Sequence, residues 1–298
     1  MVAWANNILR ALRPHQWSKN LLLFVPAVLG HEIADPSVAG AGVLAFIAFS
    51  LVASAGYLVN DMKDLAADRS HPSKRMRPIA SGKVTLPTAA VTAGCLTIGG
   101  LTLGAWLSPV FLAGLVFYGV LTVSYSLGLK TWALVDIFLL AAMYMLRIYA
   151  GGWATEIPIS HWLASFSLFF FLSLGILKRV AEIHSLEAQG RTMRRRGYLA
   201  SDLSLLTGLG LSTACVSVLV IVLYASSDQV RVLYARPEVL WLVAVPIFFW
   251  LSRVWLVTAR KKMHDDPILF ALRDPVSYLI VIFVGSILLL AGPLTLGL

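Results

Sequence analysis

Apolar residues in this chain neither recur with the spacing of a surface helix nor alternate as in a half-buried strand. They come in continuous runs of about 20 residues, broken by short polar stretches. About 20 apolar residues cross a bilayer core as an α-helix, whereas a barrel strand alternates over roughly ten. The pattern therefore predicts nine helical spans: Trp17–Ile33, Val38–Val59, Leu86–Leu107, Ser108–Tyr125, Trp132–Ala154, Ile159–Leu177, Leu203–Tyr224, Val239–Val257 and Pro275–Leu296. The first is short and carries Pro26; the third and fourth are joined only by "WLSP", which predicts a tight hairpin. The first nineteen residues lack the apolar core of a cleavable signal peptide and read as a basic, amphipathic lead-in on a membrane surface.

Composition agrees. Of 298 residues, 58% are hydrophobic and 13% charged, against about 25% charged in a typical soluble domain. An all-α polytopic membrane protein is expected, as a single domain over residues 1–298, with lipid as its outer solvent. Cys95 and Cys215 both fall in apolar runs and read as packing residues. There is no CxxC or HExxH, and no nucleic-acid partner is expected.

Charge sets the expected orientation. With nine spans, 21 of the 24 Lys and Arg residues fall on the face of the N-terminus; Arg231 and Arg236 lie opposite and Arg147 lies inside a span. Basic residues accumulate in cytoplasmic loops. The N-terminus is thus expected in the cytoplasm and the C-terminus outside, in the cytoplasmic (inner) membrane. Asp61, Asp64, Asp68, Glu182, Glu187, Asp265, Asp266 and Asp274 fall on the same side, which no orientation rule requires.

The densest polar stretch, "NDMKDLAADRSHPSKRMRPIASG" (60–82), holds three aspartates and six basic residues, counting His71. Asp61, Asp64 and Asp68 are spaced i, i+3, i+7, one stripe of a helix, with Asn60 beside them. Carboxylates so arranged repel one another unless cations neutralise them. Mg²⁺ takes one or two carboxylates together with substrate phosphates. Arg69, Lys74, Arg75 and Arg77 follow at once, an arrangement suited to gripping a metal-bridged polyanion from its other side. The stretch reads as a magnesium–diphosphate cradle; the alternative is a solvated helix end balanced by Lys63 and Arg69.

The pattern N-D-x-x-D-x-x-x-D at Asn60–Asp68, followed by K-R-x-R-P-I-A-S-G at Lys74–Gly82, resembles the first aspartate-rich motif of the UbiA-type intramembrane prenyltransferase superfamily. The resemblance implies nine transmembrane helices around a central cavity opening to the cytoplasmic side, with Mg²⁺ gripping a diphosphate. A second acidic motif is expected after the sixth span. Here that loop reads "LKRVAEIHSLEAQGRTMRRRGY", with Lys178 and Arg179 in its place and only Glu182 and Glu187 as acids. This departure is similar to the branch containing decaprenyl-phosphate phosphoribosyltransferase, as are "RPHQWSKN" (13–20), "YSLGLK" (125–130), "LKRVAEI" (177–183) and "HDDPILFALRD" (264–274). That branch implies 5-phosphoribose 1-diphosphate (PRPP) as donor, a polyprenyl phosphate such as decaprenyl phosphate as acceptor, and a place in arabinan-donor and cell-wall (arabinogalactan) precursor synthesis. Asp61, Asp64 and Asp68 are then the metal and catalytic residues. Asn60, Gln16, Lys19, Asn20, Lys74, Arg75, Arg77, Tyr125, Lys130, Arg147, Lys178, Arg179 and Glu182 are candidates for substrate binding.

Some readings stay open from sequence. "RTMRRRGY" suits a topology anchor against anionic lipid. Tyr125 and Lys130 suit an interfacial anchor as well as a site. Asp136 and Arg147, eleven residues apart in the fifth span, are expected on one face, lining a cavity or pairing with other helices. Asp265 and Asp266 before Pro267 suit a helix start or a substrate contact. None of His15, His31, His71, His161, His184 and His264 pairs with a carboxylate convincingly, which fits an already ionised phosphate nucleophile. Competing functions are prenyl transfer to an aromatic (quinone or haem) acceptor and transport of a small anion or lipid. A homo-oligomer is left open.

Overall fold

A computed structural model of the chain describes residues 2–70, 74–187, 197–263 and 266–292. His71, the "RTMRRR" run, His264 and Asp265 lie outside them, so the anchor reading and the Asp265 reading concern residues not described. All the regular elements among the described residues are helices. They are α1 (Val2–Leu12), α2 (Val25–Leu29), α3 (Pro36–Lys63), α4 (Leu65–Arg69), α5 (Leu86–Leu107), α6 (Pro109–Leu127), α7 (Val135–Thr155), α8 (His161–Glu187), α9 (Leu203–Ala225), α10 (Val230–Leu233), α11 (Ala244–Ala259), α12 (Pro267–Ala271) and α13 (Pro275–Ala291). Several 3-10 segments connect or extend them.

Seven helical stretches are long and apolar enough to cross a membrane: α3, α5, α6, α7, α8, Ala200–Ala225 and Pro237–Ala259; α13 is shorter, at 17 residues. The predicted first span is different in kind. Trp17–Ile33 is not one α-helix: Pro14–Phe24 winds as a 3-10 helix and only Val25–Leu29 is α-helical. Pro14 opens the 3-10 segment, and Pro26 cannot donate a backbone hydrogen bond to the preceding turn. A 3-10 helix rises about 2 Å per residue, so these sixteen residues reach about 30 Å, the thickness of a bilayer core.

Helix starts follow a local rule visible in the sequence. Asp35 before Pro36, Ser108 before Pro109, Asp266 before Pro267 and Asp274 before Pro275 are each an N-cap whose side chain accepts a backbone N–H, with proline just inside the helix.

The chain divides into two compact units. The first comprises Met1–Leu129 and Leu146–Ile159, the second Lys130–Met145 and Ser160–Leu298. In the first, α5 and α6 pack on α3 through small residues: a Cβ on Gly100 would lie 2.9 Å from the Ala48 carbonyl oxygen. Close backbone approach of this kind is how helices gain packing where lipid supplies no hydrophobic force. The 3-10 segment seats in the second half of α7 the same way, with the Leu23 carbonyl oxygen 2.1 Å from where a Cβ on Gly151 would sit. In the second unit α8 packs on α9 and α11, and Ser173 Oγ accepts from Trp255 Nε1 while donating to the Gly210 carbonyl.

Candidate functional site

The aspartate-rich stretch sits where α3 ends. Its three carboxylates do not share one unbroken helix: α3 stops at Lys63, Asp64 is the joint with ψ of 8°, and Asp68 rides on α4. Backbone bonds from Asp64 N to Asn60 O and from Asp68 N to Asp64 O still carry the chain forward by helical turns. Asp61 and Asp68 are buried, Asn60 and Asp64 half-buried. Lys63 turns away, donating to the Ser126 and Leu127 carbonyls at the end of α6. It thereby satisfies carbonyls that the helix terminus leaves without partners.

The cations next to Asp61 come from two directions. Arg77 Nη1 donates to Asp68 Oδ2 at 2.6 Å and to Asp61 Oδ1 at 3.2 Å. Arg13 Nη2 donates to the same Asp61 oxygen at 2.5 Å, its guanidinium 5.2 Å from the centre of the Tyr57 ring. Arg77 is held because Ile79, Ala80 and Val84, just beyond it, are buried, with Gly82 making the turn at φ of 77°. Arg13 is held because α1 ends one residue before it and its own backbone is left-handed, φ 55° and ψ 59°. A bulky residue rarely adopts that conformation, which clusters at functional sites.

Geometry also explains "RPHQWSKN". In a 3-10 helix residues i and i+3 eclipse. Trp17 and Asn20 therefore project on one side, where Trp17 Nε1 donates to Ser54 Oγ and Asn20 Nδ2 to Ser50 Oγ, one turn apart on α3. Asn20 Oδ1 in turn accepts from Arg147 Nε at 2.9 Å, and Arg147 Nη2 donates to Tyr118 Oη at 2.7 Å. Arg147 is thus tied into the first unit. Lys19 is half-buried, while Lys74 and Arg75 are exposed.

An open cavity of about 700 Å³ adjoins Asp61, lined in part by Arg10, Arg13, Arg77, His15 and Gln16. The donors suit a hard divalent cation, because Asp61 and Asp68 offer carboxylate oxygens that already converge on one cationic nitrogen. Among the described residues no three carboxylate, histidine or cysteine side chains yet form a coordination shell. Guanidinium groups hold the carboxylates together instead.

In the second unit the candidate residues form two ion-paired groups. Lys178 Nζ meets Asp266 Oδ2 at 2.7 Å, and Asp266 also caps α12 through the Ile268 N–H. Asp266 therefore serves as a helix start. Arg179 is wholly buried; its Nε pairs with Asp136 Oδ2 at 2.5 Å and its Nη1 donates to Glu182 Oε2 at 2.7 Å. Asp136 and Arg147, expected to share a face, have separate sets of partners in different units. Tyr198 completes the Asp136 pocket, donating to Asp136 Oδ1 while accepting the Leu134 N–H at 2.8 Å. Burial, reinforced by the Asp136 carboxylate, holds the Tyr198 phenol well above its usual range. Gly197, at φ of 68° and close to the Thr131 carbonyl, makes the turn that delivers it. Tyr125 and Lys130, half-buried, flank the end of α6.

Arg13 and Tyr198 escaped the sequence reading. Arg13 lay inside a noticed motif but counted only as a topology charge. No local signal marks Tyr198, whose partner Asp136 is 62 positions away.

The sequence matches the UbiA prenyltransferase family over residues 22–276. It is 37% identical over 285 residues to the uncharacterized protein y4nM of Sinorhizobium fredii, covering 95% of this chain and 55% of that one. It is 40% identical over 193 residues to decaprenyl-phosphate phosphoribosyltransferase of Mycobacterium tuberculosis, 63% of this chain and 64% of the relative. It is 34% identical over 266 residues to nodulation protein NoeC of Azorhizobium caulinodans, 89% and 86% respectively. The matches thus span between about half and just under two thirds of the first two relatives. A UbiA homolog from Archaeoglobus fulgidus, solved with GPP and Mg²⁺, superposes with a TM-score of 0.72 at 15% identity, over 95% of this chain and 99% of that one.

Proposed function

This chain belongs to the UbiA prenyltransferase family, and within that family of integral membrane transferases we propose that it moves phosphoribose from PRPP to a polyprenyl phosphate, releasing pyrophosphate. What carries this reading is the convergence of Asp61 and Asp68 on Arg77 beside an open cavity lined by further arginines. The 40% identity to decaprenyl-phosphate phosphoribosyltransferase adds the choice of donor and acceptor. The proposal includes nine membrane crossings around a central cavity, the aspartates at the cytoplasmic face of the inner membrane, and the C-terminus outside.

In the reaction the bond between the anomeric carbon and the diphosphate breaks, and a phosphate oxygen of the lipid bonds to that carbon. Asp61, Asp64 and Asp68 would hold Mg²⁺, which supplies a Lewis acid that neutralises the departing diphosphate. Arg13 and Arg77 exchange carboxylate oxygens for phosphate oxygens as the donor enters, keeping charge-assisted hydrogen bonds throughout. Asn60 and Gln16 orient the donor beside them. Lys19, Lys74, Arg75, Tyr125 and Lys130 bind substrate phosphates. Lys178 and Glu182 contact the substrates, Lys178 through phosphate oxygens. Arg179, buried against Asp136, acts by positioning Glu182, and Arg147 by fixing Asn20. A phosphate nucleophile is ionised near neutral pH, so no histidine base is required.

Product analysis decides between donors. Purified protein with Mg²⁺ is given PRPP and polyprenyl phosphate in one reaction, and prenyl diphosphate with an aromatic acceptor in another. Mass spectrometry should find phosphoribosylated lipid in the first. Product only in the second would make the chain an ordinary prenyltransferase and reject this reading.

A further inference from the structure

We propose that the cavity beneath α1 is a second anion subsite, which takes a phosphomonoester group while the aspartates attend to the diphosphate. The inference rests on the phosphoribosyl-transfer reading, in which each substrate carries one such group: the 5-phosphate of the donor and the phosphate of the lipid. The cavity is built within the first unit alone. Asn6, Leu9 and Arg10 form one stripe of α1 facing it. Ile8, Ala11 and Leu12 form the other face, packed into a cluster with Ala55, Leu58, Ile79 and Val84. That apolar seam fixes α1 over the end of α3 and turns its polar stripe toward Asp61.

Charge selects the ligand. Three guanidinium groups, of Arg10, Arg13 and Arg77, line the cavity against the single carboxylate of Asp61. Arg13 and Arg77 both bond Asp61 Oδ1 and Arg77 also bonds Asp68, so these two cations are matched by two carboxylates and the excess charge of the cavity is that of Arg10. Arg10 makes no ion pair with a described residue and is exposed. The excess positive charge calls for an anion. At about 700 Å³ the space is in the range of small-molecule sites, and its lining is cationic where such sites are mostly apolar. Met76 and Leu9, both exposed, add apolar contact at the cavity wall.

The test uses the full chain in detergent and reads affinity calorimetrically for three probes: ribose 5-phosphate, geranyl phosphate and magnesium pyrophosphate. Arg10→Gln should weaken one of the two phosphomonoesters about tenfold, the worth of one charge-assisted bond, and leave magnesium pyrophosphate within about twofold. Arg10→Lys should restore most of the loss. A loss confined to ribose 5-phosphate assigns the subsite to the donor, and one confined to geranyl phosphate assigns it to the acceptor. If the wild type binds neither, or Arg10→Gln changes neither, the proposal is overturned whatever the aspartates do. Asp61→Asn reports separately: undiminished magnesium pyrophosphate binding there would sink the diphosphate reading and leave the Arg10 result standing on its own. Arg10 lies off the packed face of α1, so loss of folding does not confuse the readout.

Discussion

Arg179 Nε and Asp136 Oδ2 lie 2.5 Å apart, with both side chains wholly excluded from solvent. Removing Asp136 leaves the buried Arg179 with the part-exposed Glu182 as counter-charge. Asp136→Asn should therefore destabilise the protein by about 3–5 kcal/mol, read as thermal unfolding in detergent. Coupling the change with Arg179→Gln should cost less than the two single changes added together. Additive losses would show that the pair does not act as a unit.

Asp61→Asn and Asp68→Asn should each lower the rate of lipid product formation by about 100-fold, equivalent to ~2.7 kcal/mol of barrier. Each should also raise the magnesium concentration needed for half-maximal rate. Arg77→Lys should fall between these and the wild type, because an ammonium keeps the charge and loses the planar fork. Initial rates across a magnesium titration check all three.

Gly151→Ala places a Cβ on the Leu23 carbonyl, which cannot move without displacing the 3-10 segment. Overpacking usually costs about 1–3 kcal/mol, and a backbone obstacle puts this change at the upper end. Gly94→Ala is the control. Nothing lies within 4 Å of its added Cβ, so it should be neutral or stabilising by up to about 1 kcal/mol through helix propensity. Equal losses at both positions would exclude close approach as the cause.

Asp274 should define an acid transition. Burial pushes its carboxyl up, but the paired Arg253 guanidinium, two hydrogen bonds at 2.8 Å, and the Ser277 cap outweigh burial and hold it below the usual carboxylate value. A depressed pKa gives stability that is complete above the unfolded value near 3.8 and lost as pH falls through the folded one. Asp274→Asn should lower stability at neutral pH and flatten its decline between pH 5 and pH 2, a range set by the ordinary carboxylate behaviour. Unfolding midpoints at stepped pH would record it.

The long apolar runs made the crossing helices legible, since a bilayer demands length and little else. The helix start at Asp266 before Pro267 was equally local. The Trp17–Ile33 segment was not, because apolar content alone does not separate a 3-10 helix from an α-helix. The aspartates announced themselves by spacing, yet spacing could not show that Asp64 breaks the helix. Nor could it show that Arg13 crosses 48 positions to reach Asp61. Asp136 and Arg147 were legible as intramembrane charges, but their partners depend on which neighbours the folded chain brings to each.

The 3-10 stretch from Pro14 to Phe24 also carries an evolutionary constraint. One residue added or deleted there would rotate everything beyond it by roughly 120° about the segment axis. Asn20 would then swing off Ser50 and Arg147 together, and Leu23 out of the notch at Gly151. A change of length here would thus break several contacts at once, where a single substitution breaks only its own.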